Sequence, residues 1–447
     1  MTGHINLQLG WPSPSLFPAA QLLDSASSIL TSEKKTASSL IYGPDAGYEP
    51  LRQSLAKWLT SIYGRGSNLS FDRICVTNGA SGNLDNVLAR FTDPAGGYTR
   101  HVWMVEPCYF LACPIFMDNG FEGMMRGVPE DDEGLDIAFL RKALRESDSS
   151  GDTHTPPRKT GERYKKLYRH IIYCVPTFSN PSAKTMSLRR RQELILLARE
   201  FDALVITDDV YDVLRWPVDP EAKYEHLGHV PPRLVDLDRT FEGGPKDEWG
   251  NAMSNGSFSK IIAPGVRVGW AEATPAFTLA LSQVGATRSG GCPTHLAASF
   301  VHEMLESGAL EKHLHETVLP TFRSRYYALL EAIDKHLVPL GMEISTGRPY
   351  EEGSTAAGGY FIWLLLPEDL AGRGASLAAT ALDKFDLKFA YGDMMQVQGE
   401  PASAQRSAKG FGNSIRLSWA WHTKDEIIEG IERLAGLIVE VRNSKRP

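Results

Sequence analysis

Between residues 73 and 207 the chain alternates short apolar runs with longer amphipathic stretches, and this rhythm limits the possible folds most strongly. The predicted strands are Arg73–Thr77, Val102–Val105, His170–Val175 and Ala203–Thr207, and the predicted helices are Gly82–Phe91 and Leu188–Phe201. Such alternation is typical of βαβ units, which build mainly parallel sheets with helices on both faces. The sequence therefore predicts a large α/β domain.

After about residue 295 the pattern changes. A long helical region is predicted over His295–Leu337, followed by strands at Gly358–Leu366 and Ser414–Leu417 and a final helix over Lys424–Val441. This pattern predicts a second, smaller α+β domain. Two polar stretches rich in helix breakers, Glu146–Arg163 and Val218–Trp249, are predicted to be surface loops.

Composition narrows the class of protein. The 447 residues are 42% hydrophobic and 23% charged, and their net charge of -7 gives no reason to expect a nucleic-acid or anionic membrane partner. Five cysteines without paired spacing suggest a reducing compartment, and no His/Cys cluster has the spacing of a metal site. No secretory signal and no membrane-spanning run is recognisable. We expect a cytoplasmic enzyme.

Ligands of open α/β sheets bind beyond the carboxyl ends of the strands, so the residues after each predicted strand are the candidates. The first strand leads into Gly79-Ala80-Ser81 at the start of a helix. Free N–H groups and the positive end of the helix dipole favour an anion there, although an ordinary capping turn has the same sequence. Tyr109 follows the second strand and is suited either to stacking on a flat ligand or to core packing.

The next two strands end in polar residues. Asn180 precedes a proline, which favours an extended conformation and an amide directed into a cleft, or else a simple turn. Asp208 and Asp209 follow a very apolar strand, and Tyr211 follows them. An acid in that position is unfavourable unless it is paired or exposed. Either a buried cation partner or a solvated loop fits the pattern.

A lone lysine, Lys260, follows another predicted strand end at Gly256–Ser259. Partial burial beside other cations lowers the pKa of a lysine and makes it a nucleophile toward carbonyls. Ser257 and Arg267 are suited to binding phosphate, although surface positions would also explain them. Together, these candidates are the groups needed to hold pyridoxal phosphate.

Several motifs occur in the order found in the class I/II aminotransferases. The matching positions are Gly10-Trp11-Pro12, Tyr42-Gly43 with Leu51-Arg52, Gly79 to Ser81, Tyr109, Asn180, Asp208, Tyr211, the Ser257-x-Ser259-Lys260…Arg267 signature and Ser414 to Ser418. The chain resembles these fold-type I pyridoxal-phosphate enzymes over nearly its whole length. The resemblance implies an N-terminal arm and part of the small domain over 1–35, a large cofactor-binding domain over 36–295, and a small domain over 296–447.

The resemblance also implies roles for individual residues. Lys260 forms the Schiff base, Asp208 pairs with the pyridinium nitrogen, and Tyr109 stacks on the ring. Asn180 and Tyr211 hydrogen-bond the phenolic oxygen of the cofactor. The phosphate is bound by Gly79, Ala80, Ser81, Ser257, Ser259, Arg267 and Tyr42, of which Tyr42 acts on the neighbouring subunit of a homodimer. Arg416 binds the substrate α-carboxylate, and Gly10 and Trp11 cover the substrate.

Some positions depart from the family pattern. Ala183 stands where a glycine is usual, Cys108 where a small or hydroxyl residue is common, and Arg288 does not fall where aspartate aminotransferases read a side-chain carboxylate. A structural salt bridge is the favoured role for Arg288, and contact with a substrate across a dimer interface is the alternative. The sequence therefore disfavours a dicarboxylate substrate.

Aromatic residues near the two ends of the chain favour a substrate with an apolar side chain in place of a carboxylate. An aromatic or bulky apolar side chain fits if Trp11, Trp419, Trp421 and His422 line the pocket, and core packing is an equally good explanation for them.

Three functions were weighed. The first is transamination between an α-amino acid and a 2-oxo acid. The second is another pyridoxal-phosphate reaction, such as that of a cyclase, lyase, epimerase or aminocyclopropane-carboxylate synthase. The third is a regulator with an aminotransferase-like domain, which is disfavoured because the family match begins by about Gly10 and because Lys260 and Asp208 are both present.

Overall fold

The computed structural model of the protein describes residues 3–64, 68–150, 157–227, 229–345 and 356–444. Its strands are, in chain order, β1 Ile5–Asn6, β2 Ile74–Thr77, β3 His101–Glu106, β4 Met125–Asp131, β5 Gly134–Leu135, β6 His170–Cys174, β7 Ala203–Asp208, β8 Arg215–Pro217, β9 Ala252–Ser257, β10 Gly269–Glu272, β11 Glu343–Ile344, β12 Ala356–Gly358, β13 Phe361–Leu365, β14 Leu387–Lys388, β15 Ala390–Tyr391 and β16 Ser414–Ser418. Its α-helices are α1 Ala19–Leu30, α2 Glu33–Leu40, α3 Glu49–Tyr63, α4 Ala80–Phe91, α5 Cys113–Phe116, α6 Ile137–Ser150, α7 Leu188–Glu200, α8 Leu234–Thr240, α9 Pro275–Ser282, α10 Gly285–Gly290, α11 His295–Glu306, α12 Ala309–His313, α13 Leu319–His336, α14 Gly374–Phe385, α15 Pro401–Lys409 and α16 Lys424–Asn443.

The large sheet has eight strands in the order β2-β10-β9-β7-β6-β3-β4-β5. Neighbours from β9 to β4 run parallel, whereas β10 is antiparallel to both β2 and β9, and β5 is antiparallel to β4. The four predicted strands all lie in this sheet, and the expectation of a mainly parallel sheet is confirmed.

Both faces of the large sheet are buried, which explains why its strands are so uniformly apolar. Successive residues on β6 show the alternation: Ile171 packs in the cluster that contains Leu84 and Phe277 from α4 and α9, while Ile172 packs with Leu140 and Leu194 from α6 and α7. The helices therefore leave only the strand ends open to a ligand.

The smaller unit is built around the antiparallel sheet β11-β13-β16-β15, against which α13 and α16 pack. The N-terminal strand β1 pairs in parallel with β14, so both ends of the chain contribute to this unit, as expected. Strands β8 and β12 form a separate two-stranded antiparallel sheet.

Three parts of the predicted organisation differ from the structure. The stretch Val218–Trp249, predicted to be a loop, contains α8, because Leu234 and Leu237 are buried against the core beneath α7. The predicted strand Gly358–Leu366 is interrupted at Gly359, whose φ of +73° breaks the extended backbone between β12 and β13.

The predicted loop Glu146–Arg163 also begins later than expected, because α6 continues to Ser150. Residues 151–156 of that prediction lie outside the described residues.

Among the described residues, no helix combines the length and apolar character needed to cross a membrane. The same residues hold no group of three or more His, Cys, Asp or Glu side chains arranged to bind a metal ion. All five cysteines are free and buried.

Candidate active site

A cavity of about 340 Å³ lies beyond the carboxyl ends of β7 and β9, between the two sheets. It is lined by most of the residues that the sequence analysis selected, namely Gly10, Trp11, Ala80, Ser81, Tyr109, Asn180, Asp208, Tyr211, Ser257, Ser259, Lys260, Arg267 and Arg416. Residues more than 400 positions apart in sequence therefore meet in one place.

Lys260 lies on a single 3₁₀ turn, Phe258–Lys260, that follows β9. Its Nζ donates a hydrogen bond to the carbonyl oxygen of Gly10 at 2.7 Å. Burial lowers the pKa of Lys260 to about 8, Asp208 opposes this shift, and the guanidinium groups of Arg416 and Arg267 add to it. About a tenth of an amine with this pKa is neutral at pH 7. The neutral amine is the form that attacks carbonyls and accepts protons.

Asp208 is the last residue of β7, and its carboxylate faces the cavity. Tyr173 Oη donates to it at 2.8 Å, and Asn255 Nδ2 donates to it at 3.3 Å. Burial raises the pKa of Asp208 to about 6, against the opposing effects of the Tyr173 hydrogen bond and the charge of Lys260. A carboxylate held in this way is poised to pair with a protonated ring nitrogen.

The neighbouring acid, Asp209, points away from the cavity. It accepts hydrogen bonds from Thr207 Oγ1 at 2.7 Å and from Ser254 Oγ at 2.6 Å. Burial and the adjacent Asp212 raise the pKa of Asp209 to about 7. The alternation of a β-strand thus separates the two acids: one faces the ligand and the other belongs to the interior.

The opposite wall of the cavity is an anion site built from the start of α4 and the turn after β9. Gly79 precedes α4 with a φ of +99°, and a Cβ there would stand 2.4 Å from Arg267 Nη2, so only glycine allows this close approach. Arg267 donates to Ser259 Oγ at 3.2 Å and to the carbonyl oxygen of Asn78 at 3.0 Å. The arginine is therefore fixed beside the helix start, where free N–H groups favour an anion.

Two serines complete this anion site. Ser257 Oγ donates to Ser259 Oγ at 2.9 Å, and Ser81 lines the same cavity from the first turn of α4. Hydroxyl groups and a guanidinium converging on one point are suited to a phosphate dianion.

Arg416 enters the cavity from the middle of β16. Its Nη1 donates to Asn180 Oδ1 at 2.5 Å, and its Nη2 donates to the carbonyl oxygen of Gln8 at 2.7 Å. The guanidinium lies 4.0 Å from the ring centroid of Phe361, and burial lowers the pKa of Arg416 to about 10. Its Nε has no protein partner among the described residues. This geometry suits two-point binding of a carboxylate.

Two tyrosines, Tyr109 and Tyr211, line the cavity between the large sheet and Arg416. Burial raises the pKa of Tyr109 to about 12 and that of Tyr211 further still, so both remain neutral hydroxyls. The ring of Tyr211 packs against Tyr360 and Phe361, with centroids 5.4 and 6.1 Å away.

Residues 5–11, hereafter the strap, cross the cavity from the small sheet. Trp11 lines the cavity with 55% of its surface exposed, and its ring meets Trp421 edge-on at 6.1 Å between centroids. Trp419 is 1% exposed and packs against Trp216 and Tyr326, so core packing is the better account of it.

His422 does not line the cavity either, although it touches the strap. It accepts a hydrogen bond from the backbone N–H of Asn6 at 2.9 Å. Of the four aromatic residues considered as candidates for the pocket wall, only Trp11 lines it. Trp421 and His422 contact the strap from outside the cavity.

Three residues singled out from the sequence lie away from the cavity. Tyr42 is 85% exposed, and Arg288 is also exposed and donates to the side-chain oxygen of Gln283 rather than to a carboxylate. Cys108 is buried, and its thiol donates to the carbonyl oxygen of Gln396 at 3.4 Å.

Four supporting residues were missed by the sequence analysis: Tyr173, Asn255, Gln8 and Phe361. One signal for Asn255 was available in the sequence. β9 is buried at every position, so a polar side chain on it needs a hydrogen-bond partner inside the protein. Gln8 acts through a backbone carbonyl, which no residue pattern reveals.

The fold and site define an α/β enzyme with a buried lysine that faces a carboxylate, an anion site and a second guanidinium. A family model described as aminotransferase class I and II matches residues 18–434. An uncharacterized protein of Saccharomyces cerevisiae is 34% identical over 96% of this chain and 95% of its own length. Aromatic-amino-acid aminotransferase 1 of Thermococcus litoralis is 29% identical, over 98% of this chain and 88% of its own.

Solved structures agree with the sequence relatives. Kynurenine aminotransferase of Pyrococcus horikoshii, in complex with PMP, superimposes with a TM-score of 0.75 and 28% identity, covering 99% of this chain and 92% of that one. The chain therefore belongs to the class I and II aminotransferase family. It is a transferase that uses pyridoxal phosphate.

The residues of the cavity fit this cofactor. A phosphate matches the donors at the start of α4 together with Arg267 and Ser259, and a protonated ring nitrogen matches Asp208. An aldehyde matches the amine of Lys260, whose pKa is lowered to about 8 by burial.

Proposed function

We propose that this aminotransferase moves an amino group between an α-amino acid with an aromatic or bulky apolar side chain and a 2-oxo acid. We further propose that Lys260 holds pyridoxal phosphate through a Schiff base. The observation that carries the proposal is the convergence of Lys260, Asp208 and Arg416 on one cavity, where burial shifts the pKa of each group.

Pyridoxal phosphate supplies an electron sink for the electron pair left at the substrate Cα when a proton is removed. In the proposed mechanism the amine of Lys260 takes that proton and later returns one to the carbon that receives the amino group. Asp208 keeps the ring nitrogen protonated, because a carboxylate in a poorly solvated site raises the pKa of its partner. The hydrogen bonds from Tyr173 and Asn255 hold that carboxylate in place.

Arg416 is proposed to bind the substrate α-carboxylate. Its present partners are the neutral oxygens of Asn180 and Gln8, and a carboxylate forms stronger, charge-assisted bonds with a guanidinium than those oxygens do. Asn180 and Tyr211 would then lie beside the phenolic oxygen of the cofactor, with Tyr109 against its ring.

The proposed substrate class rests on the uncharged part of the wall. Leu9, Trp11, Phe110 and Leu111 line the cavity near its opening, and Phe361 lies beneath Arg416. A large apolar side chain would bury against these groups at about 25 cal/mol per Å² of apolar surface removed from water. The names of the Thermococcus and Pyrococcus relatives, which refer to aromatic amino acids and kynurenine, support this class.

We also propose a homodimer. Tyr42 is 85% exposed and is accompanied on the surface by Leu40 and Ile41, at 60% and 67% exposure. An exposed apolar patch of this kind is typical of an interface. In the proposed dimer Tyr42 reaches the phosphate bound by the other subunit.

The experiment that tests the proposed function follows the visible absorption of the protein loaded with pyridoxal phosphate. Aromatic amino acids should bleach the absorption of the bound cofactor, and a 2-oxo acid should restore it, with stoichiometric release of the two products. Release of a product without any change in the amination state of the cofactor would instead establish one of the other pyridoxal-phosphate reactions. A protein that takes up no cofactor would contradict the assignment of Lys260.

A further inference from the structure

The strap contributes more to the cavity than its one aromatic side chain. The carbonyl oxygen of Gly10 accepts a hydrogen bond from Lys260, and that of Gln8 accepts one from Arg416, both at 2.7 Å. Trp11 adds part of the apolar wall. The strap therefore contacts both cations as well as the apolar wall.

Backbone hydrogen bonds fix the strap on two sides. Along one edge Leu7 N–H donates to the carbonyl oxygen of Lys388 at 2.8 Å, within the β1–β14 pair. Along the other edge Ser418 N–H donates to the carbonyl oxygen of Leu7 at 2.9 Å. These bonds need no particular side chain.

Two adjacent side chains beyond β16 add specific contacts. His422 Nε2 accepts the N–H of Asn6 at 2.9 Å, and the ring of Trp421 packs edge-on against Trp11 at an interplanar angle of 72°. One contact holds the beginning of the strap and the other holds its end, so the pair determines how the intervening residues lie over the cavity.

The chemistry of His422 is determined by its partners. A backbone N–H can only donate, so Nε2 must be the acceptor nitrogen of a neutral imidazole. The proton then lies on Nδ1, which donates to Glu426 Oε2 at 3.2 Å. Glu426 is itself fixed by hydrogen bonds from the N–H and hydroxyl of Thr423 at 2.8 and 3.0 Å. His422 is only 6% exposed, so it has little freedom to turn away from the strap.

We propose that Trp421 and His422 are positioning residues that latch the strap over the active site and thereby set the affinity for amino acids with large side chains. This inference rests on the proposed function. Neither residue lines the cavity, so both act through the strap: an unlatched strap withdraws Trp11 from the apolar wall. Asp208 is held by Tyr173 and Asn255, which do not touch the strap, so its chemistry should be preserved.

The test compares variants of the enzyme loaded with pyridoxal phosphate. His422→Phe keeps a ring but removes the acceptor, His422→Gln restores an acceptor oxygen, and Trp421→Ala removes the ring contact. The matched control is His302→Phe, since His302 is also partly buried with one hydrogen bond, to Ser54 at 3.1 Å on α3, away from the strap. For each variant, kcat and KM are measured with phenylalanine and with alanine, together with amide hydrogen exchange of residues 5–11.

We expect His422→Phe to raise KM for phenylalanine about tenfold, which corresponds to the loss of one buried hydrogen bond, and to change kcat by less than about threefold. Exchange of residues 5–11 should accelerate. His422→Gln should recover most of both effects, and His302→Phe should show neither. Trp421→Ala should raise KM for phenylalanine more than KM for alanine.

Unchanged KM and unchanged exchange in His422→Phe would overturn the latch, as would a fall in kcat with KM unaffected. If His422→Phe does not fold, Trp421→Ala and His422→Gln decide the question by the same two measurements. If the wild-type enzyme transaminates no amino acid, the proposed function fails, while exchange of the strap still tests whether the two residues hold it.

Discussion

The two halves of the active site are held by different means. The floor, which comprises Asp208, Lys260 and Arg267, is supplied by the large sheet and the turns that follow its strands. Hydrogen bonds from Tyr173 and Asn255 fix Asp208, and a hydrogen bond to Ser259 fixes Arg267, whereas Lys260 donates to Gly10 of the strap. The roof, which comprises the strap and Arg416, joins segments far apart in sequence. The Arg416–Gln8 bond spans 408 positions, and the Asn6–His422 bond spans 416.

This difference separates chemistry from recognition. The floor positions charged groups by buried side chains that leave little freedom, as groups that hold and move a proton require. The roof relies largely on backbone carbonyls, which can be given up when a ligand supplies better partners. Changes to the floor should therefore affect kcat and the electrostatics of the site, and changes to the roof should affect KM.

The largest expected effect comes from the floor. Lys260→Ala should reduce kcat by about 1,000-fold or more, because it removes the group proposed to transfer the proton. It should also abolish the covalent attachment of the cofactor, measured as cofactor that stays on the denatured protein after reduction with borohydride.

The control for this change is Lys184→Ala. Lys184 is also largely buried but pairs with Glu130 outside the cavity, and its replacement should leave kcat nearly unchanged. Substantial turnover by Lys260→Ala would mean that another group transfers the proton.

The roof should respond differently. Arg416→Ala should raise the KM of the amino acid about 100-fold with little change in kcat, because two charge-assisted hydrogen bonds to the α-carboxylate are lost. The KM of Arg416→Lys should lie between those of the wild-type enzyme and Arg416→Ala, since an ammonium keeps the charge without the two-point geometry. Steady-state kinetics that show a lower kcat at constant KM would assign Arg416 to the chemistry instead of the roof.

The buried charge on the floor should also lower the stability of the cofactor-free protein. The folded-state pKa of Asp208 is raised from 3.8 to about 6, so its unfavourable effect on folding is nearly absent below pH 4, grows between pH 4 and pH 6, and is constant above that range. Asp208→Asn should therefore increase the free energy of unfolding by about 1–3 kcal/mol at pH 7.5 and by almost nothing at pH 4. Urea unfolding at the two pH values measures the difference, and an equal gain at both would show that the carboxylate charge is not the cause.

The smallest effect concerns the turn that follows Asn180. Ala183 has a φ of +61°, a left-handed conformation that is unfavourable for any residue with a Cβ. Ala183→Gly should stabilise the protein by about 0.5–1 kcal/mol in thermal or urea unfolding. Ala378→Gly, in the middle of α14, is the control and should destabilise by about 1 kcal/mol. Destabilisation by both would mean that the contacts of the Ala183 methyl outweigh its backbone strain.

The sequence predicted the floor well and the roof only in part. Asp208, Lys260 and Arg267 follow predicted strands, so the rule that ligands bind at the carboxyl ends of strands was enough to group them. Arg416 and the strap were found through family motifs, because no local pattern shows that residues 8 and 416 are neighbours. The helix α8 was missed because the polar residues around Leu234 and Leu237 hid a short buried face.

The supporting interactions were the hardest to predict. Tyr173 and Asn255 lie inside strands, where a polar residue signals only that some partner exists. The structure identifies the partner as Asp208 in both cases. Asp208 and Asp209 look equivalent in the sequence. In the structure their side chains point to opposite sides, Asp208 toward the cavity and Asp209 into the interior, where it accepts hydrogen bonds from Thr207 and Ser254.

The sequence separation within the roof has a consequence for the synthesis of the protein. The strap emerges from the ribosome long before β14 and β16, the strands that hold it, while all residues of the floor are complete once Arg267 has been made. Domains generally fold as units during translation, with the earlier ones first. The large sheet can thus assemble once β10 has been made, whereas the proposed substrate-binding half of the site is completed only near the end of translation.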